Sequence, residues 1–456
     1  MKKRILIGVS CGAALAAALL FGQGQDITST IVGPGGKPAL AVIDFHGAGG
    51  ADPLMKAFNT TLMADLQASA LFDLKSKSFF PASYPQQPSD LVPQDNGQGK
   101  ALPDWSGPPV GASHVVFGYA AVVNGVLALY GNVYDARQPI ASAKVLAQRY
   151  AGSSDEAGAV RIAHEFANDI IIQFGGTGSL LNSRIYFVSD RGAARGGREL
   201  WVMDWDGRNQ KQLTSLHSLM AYPAISFDGS RLACTIWPLS GNPSPVIAMV
   251  DSQTGRKLPF YNQAASLNAA ATFTPDGTTV FYSSSASGEA QIYSAKVDGR
   301  DFTRITQTKG NPSEPKVNPK NPDSLLFVQG FPNEQIYRMN AEGLNIERLT
   351  DGTGEASNPS WSPDGQHIAF AWTRGYQAGE FNIFVMDVGS LKYQQLTHNT
   401  GGKNENPVWA PDGKHIVFMR TPRSGISQIF SMLADGTQVT QLTTQGNNKY
   451  PVWGVK

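Results

Sequence analysis

Hydrophobic and polar positions alternate along most of the C-terminal two thirds of this chain, in short runs broken by turn residues, and the breaks recur. The stretch NPSWSPDGQHIAF, Asn358 to Phe370, contains the unit: a proline, an aromatic residue two positions on, a Pro-Asp-Gly turn, then a returning apolar run. Related stretches are YPAISFDG from Tyr222, AATFTPDG from Ala270, EPKVNPKNPD from Glu314, NPVWAPDG from Asn406 and YPVWGVK from Tyr450. The proline or its equivalent falls at 223, 271, 315, 359, 407 and 451, in steps of 48, 44, 44, 48 and 44 residues. A second motif follows each turn, an apolar run, a polar turn and a short run ending near Leu-Thr, as in IFVMDVGSLKYQQLT from Ile383; IAMVDSQTGRKLP from Ile247 is its weakest copy.

Period-two alternation reads as half-buried strands, and proline followed by glycine supplies the turn dihedrals. Each unit therefore predicts four antiparallel strands. One such sheet cannot cover both of its faces, whereas units packed radially do, and a period in the forties belongs to that class. The fold expected is an all-β six-bladed β-propeller over 183–456, preceded by a small α/β domain. RIYFVSD, Arg184 to Asp190, has no inner run of its own before it, and YPVW at the C-terminus is left over. The last strand should complete the first blade and close the ring, which removes free edges. In this frame Trp361, Trp409, Trp453 and Phe273 read as packing between blades, and the Asp of each PDG as a turn residue.

The preceding region, 39–178, has mixed periodicity. ALAVIDF, Ala39 to Phe45, reads as a buried strand. Asp52, as N-cap, and Pro53, in the first turn, open a helix with Leu54, Phe58, Leu62 and Leu66 on one face. Phe79 to Gly111, rich in Pro, Gln and Gly, reads as a long surface loop. His114 to Ala136 predicts a hairpin about Asn124-Gly125, and Val145 to Gly152 a further strand. Ser153 and Glu156 fit a capping box for a helix with Val160, Ala163, Phe166, Ile170 and Phe174 on one side, ended by Gly175-Gly176.

The N-terminus changes the cellular picture. Lys2, Lys3 and Arg4 precede an apolar run from Ile5 to Phe21, then polar residues, in the order of a secretory signal peptide over 1–24. Its removal leaves no expected membrane span. The formal charge is +1, from 37 Lys+Arg and 36 Asp+Glu. Loss of three basic residues leaves 34 against 36, so no basic excess is available for nucleic acid. Cys234 would then be the sole cysteine, read as a small buried side chain.

Chemistry is sparse. His46, His114 and His164 fit no metal spacing, and His367 and His415 hold the same place after a PDG turn, which suits a structural role. No G-x-S-x-G elbow, P-loop or H-E-x-x-H occurs, and no hydrolase domain is expected beyond the propeller. The residues predict no catalytic set, no metal and no cofactor.

In order and spacing, ALAVIDF, LMADLQASALFDL from Leu62, SHVVFGYAAVVNGVLALYGNVYD and the six PSWSPDG-type units resemble the TolB family, periplasmic components of the Tol-Pal cell-envelope system. The Pro/Gln-rich insertion and the weak second blade depart from the family pattern. The resemblance implies a periplasmic binding protein without enzymatic activity. Its propeller would dock a Pal-like peptidoglycan-associated lipoprotein and, in some members, bacteriocin peptides. An arm of the first mature residues would meet a TolA-like inner-membrane protein, in support of envelope integrity and outer-membrane constriction at division. Here the arm is 25–38, with Asp26, Ile27 and Ile31 in a polar-apolar alternation suited to docking as a strand. The alternatives from the residues alone are a secreted propeller enzyme and a ligand-binding propeller outside that system.

A partner should meet the loops leading into the inner strands. Those segments carry Tyr222, Asn268, Ser313, Glu314, Glu355, Asn358, Asn406, Asn448, Lys449 and Tyr450, polar groups around aromatics such as wet interfaces use. NPSEP most resembles a partner-contacting loop of the family, which implicates Ser313 and Glu314 in particular.

Overall fold

Glycines at 118 and 131 set the shape of the first half of the molecule. They face each other across a hairpin of β4 (His114–Val123) and β5 (Val126–Asp135). A Cβ at Gly118 would lie 2.3 Å from the Phe45 ring, and one at Gly131 2.6 Å from the Phe166 ring. The missing side chains thus admit two aromatic rings, 5.8 Å apart edge to face, against the sheet. The hairpin turns at Asn124 and Gly125, both at positive φ (53° and 75°), the geometry that Asn-Gly favours.

The protein is described here as a computed structural model. It describes residues 36–94, 98–176, 180–193, 196–239, 244–265, 267–398 and 401–455. The expected signal peptide and the arm residues Asp26, Ile27 and Ile31 lie outside the described residues. Among those described, no helix is long and apolar enough to cross a membrane.

The N-terminal sheet runs β3 (Asp73–Leu74), β1 (Ala39–Val42), β4, β5, β6 (Lys144–Ser153), with β2 (His46–Ala48) also on β4. Helices α1 (Asp52–Ala68) and α2 (Glu156–Gln173) cover one face through Phe58, Leu62, Leu66, Ile162, Phe166 and Ile170, all fully buried. Neither helix starts as expected: the N-cap of α1 is Ala51, with Asp52 and Pro53 both in the first turn, and the cap of α2 differs from the expected box. Asp155 is the N-cap and accepts from the Gly158 amide at 2.7 Å, while Ser153 Oγ donates to Asp155. A carboxylate at that position offers a stronger acceptor to the exposed first-turn amides than the serine two residues earlier.

Outside 95–97, the segment 79–111 is irregular and mostly exposed or half-buried, as read, but it is anchored at a few points. It folds over the second sheet face and buries Leu91, Leu102, Trp105 and Val110 against Ala41, Ile43, Val115, Phe117 and Tyr134. Trp105 is wholly buried, and its indole N–H donates to the Gly99 carbonyl at 2.9 Å. The segment lacks periodicity because its anchors are single side chains between turns.

The second half is a six-bladed β-propeller of six four-stranded sheets. The innermost strands of blades one to six are Ser218–Ile225, Asn268–Phe273, Ser313–Val317, Ala356–Trp361, Gly402–Trp409 and Asn448–Val455. The last of these pairs antiparallel with Ser183–Ser189, so the C-terminal strand closes the ring as the repeat arithmetic predicts. The weak copy from Ile247 forms a complete outer half of blade one, which is the second unit when counted from Arg184.

The recurrent aromatics weld neighbouring blades. Trp361 packs with Leu326 and Ile336 of blade three and Ile368 of its own blade. Trp409, Trp453 and Phe273 do the same at other seams. His367 lies buried between Asp364 and Asp387, and His415 is bonded to Asp412 at 2.7 Å, so both brace turns. The two halves of the molecule meet where Trp205, in a blade-six turn, packs against the N-terminal core, and Arg208 Nη1 reaches Thr61 Oγ1 at 3.5 Å.

Candidate functional site

Each innermost strand carries the same defect at the same place. Its register against the second strand shifts once, between 221 and 224, 269 and 272, 313 and 316, 357 and 360, 405 and 408, and 449 and 452. Within each bulge one residue has positive φ: Tyr222 (48°), Ala270 (52°), Glu314 (50°), Asn358 (53°), Asn406 (52°) and Tyr450 (52°). Proline follows five of the six and has no N–H to lose from the ladder. Bulges re-aim side chains. Here they turn all six residues into the axial channel, whose cavity of about 410 Å³ they line.

A left-handed backbone is unfavourable for tyrosine and glutamate, at a cost of order 1–2 kcal/mol each. At three of the six positions a neighbouring blade accepts from the amide that the bulge frees. The Ala270 amide donates to Thr235 Oγ1 at 2.9 Å. The Asn358 amide and Nδ2 donate to the Glu314 carboxylate at 3.0–3.2 Å. The Asn406 amide donates to Asn358 Oδ1 at 3.3 Å. Tyr222 and Tyr450 complete the ring with centroids 4.9 Å apart. The six residues line one collar, in which Glu314, Asn358 and Asn406 are joined by hydrogen bonds, Tyr222 and Tyr450 by ring contact, and Ala270 is held through Thr235.

Charges gather at the rim above the collar. Burial, with Glu314 and Glu355 nearby, pushes the Glu334 carboxyl up to about 7. Burial likewise raises Glu355 and Glu405, against the opposing pull of Lys403 on both and of Lys449 on Glu405. Desolvation lowers Lys449, helped by Arg198. Burial raises the Tyr222 and Tyr450 hydroxyls; nearby carboxylates, Glu314 and Glu405 among them, add to this at both, while Arg198 opposes it at Tyr450, and both remain neutral. The rim thus presents both signs of charge around two phenols.

Of the residues singled out from sequence, Tyr222, Glu314, Asn358, Asn406 and Tyr450 come together in the collar. Ser313, Glu355 and Lys449 are half-buried beside it. Asn268 and Asn448 do not belong to the surface. They are 1% and 0% exposed and donate inward, Asn268 to the Gln263 carbonyl and Asn448 to Gln428 Oε1 and the Gln445 carbonyl. Two residues before the bulge, the strand is still paired and its side chains point into the blade.

Sequence reasoning passed over Ala270, the true counterpart of Tyr222, and the next level down the channel, which includes Thr272, Lys316 and Ser360. The signal was available. A step of two from each collar residue along an extended strand returns to the channel side. Among the described residues no group of three or more His, Cys, Asp or Glu is placed to hold a metal ion.

Comparison with known proteins agrees with this architecture. A family model described as the TolB beta propeller domain matches residues 173–371 and 350–456. A protein TolB homolog of Chlorobium chlorochromatii is 30% identical over 283 residues, 62% of this chain and 59% of the relative. One of Chlorobaculum tepidum is 32% identical over 215 residues, 47% and 46% of the two chains. The Tol-Pal system protein TolB of Desulfosudis oleivorans is 28% identical over 283 residues, 60% and 58%. The alignments thus span about half the length of these relatives. The crystal structure of TolB from Acinetobacter baumannii superposes with a TM-score of 0.70 at 21% identity, covering 93% of this chain and 98% of that one, and it shares the fold. With the family model spanning the whole propeller, the chain belongs to the TolB β-propeller family.

Proposed function

We propose that this protein is a periplasmic scaffold of the Tol-Pal type. In this reading it binds a Pal-like peptidoglycan-associated lipoprotein at the collar end of the propeller and a TolA-like inner-membrane protein through the arm at 25–38. The observation that carries the reading is the repeated left-handed residue. A fold that spends backbone strain six times to aim side chains into one channel mouth, and then holds them rigidly, has built a preformed recognition surface. The family of the chain and its similarity to a Tol-Pal system protein of Desulfosudis oleivorans support the choice of system.

The site reads as a binding surface, not a catalytic one. Glu314, the carboxylate among the channel-lining residues, is fully engaged by Asn358, and the rim tyrosines face each other. A scaffold role also accounts for the export signal, the arm and the division-linked function expected of the system; entry of bacteriocin peptides would use the same mouth.

The test is binding of the soluble domain of the same bacterium's peptidoglycan-associated lipoprotein to the full mature chain and to one lacking Asp26 to Pro38. The reading expects both to bind the lipoprotein and only the full chain to bind the periplasmic domain of the TolA-like protein. Absence of lipoprotein binding by the full chain would refute it.

A further inference from the structure

One level below the collar, the channel wall is made by the residues two positions on in each inner strand. Those of blades two, three and four are Thr272, Lys316 and Ser360; the other three are alanine and two valines. Lys316 is the charge at this level. Its side chain is enclosed by the wall yet partly reached by solvent through the channel. Among the described residues its ammonium makes no hydrogen bond and no ion pair. Glu314, the nearest acid, is on the level above and already accepts from Asn358. The Lys316 carbonyl, in turn, is fixed by the Trp361 indole at 3.1 Å, so the backbone that presents the amine is anchored.

A lone ammonium in a narrow tube walled by alanine, valine and hydroxyls is costly, and such a charge calls for a partner. We propose that the middle of the channel is a carboxylate-binding site, with the Lys316 ammonium as its cation and the Thr272 and Ser360 hydroxyls as flanking donors. Ser360 Oγ accepts from the Trp409 amide at 3.3 Å, which leaves its own proton to give. One cation beside Glu314 suits a single carboxylate; a phosphate dianion would meet too little positive charge. Desolvation, the leading influence on Lys316, holds its amine below the usual lysine value against the pull of Glu314. A bound carboxylate would reverse that depression.

The carboxylate has two sources, a free small organic acid or an acidic group inserted by a docked protein. Only the second rests on the function proposed above. The experiment uses the full mature chain, Lys316→Met and, as control, Lys320→Met, a lysine exposed at the opposite end of the channel. Exchange of a buried charge for an apolar side chain of equal length should leave the unfolding midpoint unchanged or higher, which verifies folding.

Each variant is titrated calorimetrically with succinate, then with the soluble lipoprotein domain. Loss of succinate binding by about tenfold or more in Lys316→Met alone supports a free acid as ligand. No succinate binding by the unaltered chain, with lipoprotein affinity lowered about tenfold or more in Lys316→Met alone, supports a partner's carboxylate. If Lys316→Met changes neither, the proposal is overturned. If the lipoprotein does not bind even the unaltered chain, the scaffold reading fails and succinate binding alone decides this one.

Discussion

At Ala270 the collar can be tested without side-chain chemistry. The residue has φ of 52°, and its amide is bonded to Thr235 while its methyl group makes no polar contact. A β-branched side chain tolerates that conformation poorly. Ala270→Val should therefore lower stability by about 1–2 kcal/mol in denaturant unfolding, whereas Ala270→Gly should leave it within about 1 kcal/mol of the parent. Glu334 offers a second residue-level test. Its carboxyl is raised from a usual 4.5 to about 7 by burial and by Glu314 and Glu355, so the folded state resists its ionisation. The sign follows by linkage. The stability is fully present below the usual value and is lost as pH rises through about 7. Urea midpoints of the parent should fall relative to Glu334→Gln across that window and run parallel to it outside; parallel behaviour throughout would contradict the assignment.

Among the elements, strands and turns of the propeller were legible because one physical requirement, an inner strand followed by a tight turn, is met six times with the same residue types. Closure by YPVW followed from counting. The finer aim of each strand was not legible in the same way. Asn268 looks like a rim residue because it is polar and precedes an inner run, yet it lies on the paired side of the bulge and is 1% exposed. The bulge itself is a register event, visible only when two strands are seen together. The anchoring of segment 79–111 was not legible for another reason. Its anchors are isolated, so no window shows a period, and its proline and glycine content suggests solvent. Trp105 carries the correction, wholly buried and edge-on to Phe80 at 5.1 Å. Trp105→Ala should cost about 3–5 kcal/mol locally and expose the segment. Limited proteolysis should then cut within 79–111 while the propeller survives as one resistant fragment; cleavage inside the propeller first would show that the cap is not an independent layer.

As a whole molecule, the propeller has two unlike ends. The antiparallel order places the collar, the rim charges and the turns between second and third strands at one end. The PDG turns and the turns between third and fourth strands lie at the other, where Trp205 also meets the N-terminal core. Tyr450 belongs to the first end. Phe302, 45% exposed in a turn between third and fourth strands, belongs to the second and serves as a control of equal aromatic character. The most direct measurement is the affinity of the full mature chain for the soluble peptidoglycan-associated lipoprotein domain, by surface plasmon resonance, for the parent, Tyr450→Ala and Phe302→Ala. A recognition surface at the collar predicts a loss of about tenfold or more for Tyr450→Ala, in the manner of a buried aromatic anchor, and none for Phe302→Ala. Unchanged binding by Tyr450→Ala, or a loss confined to Phe302→Ala, would contradict it.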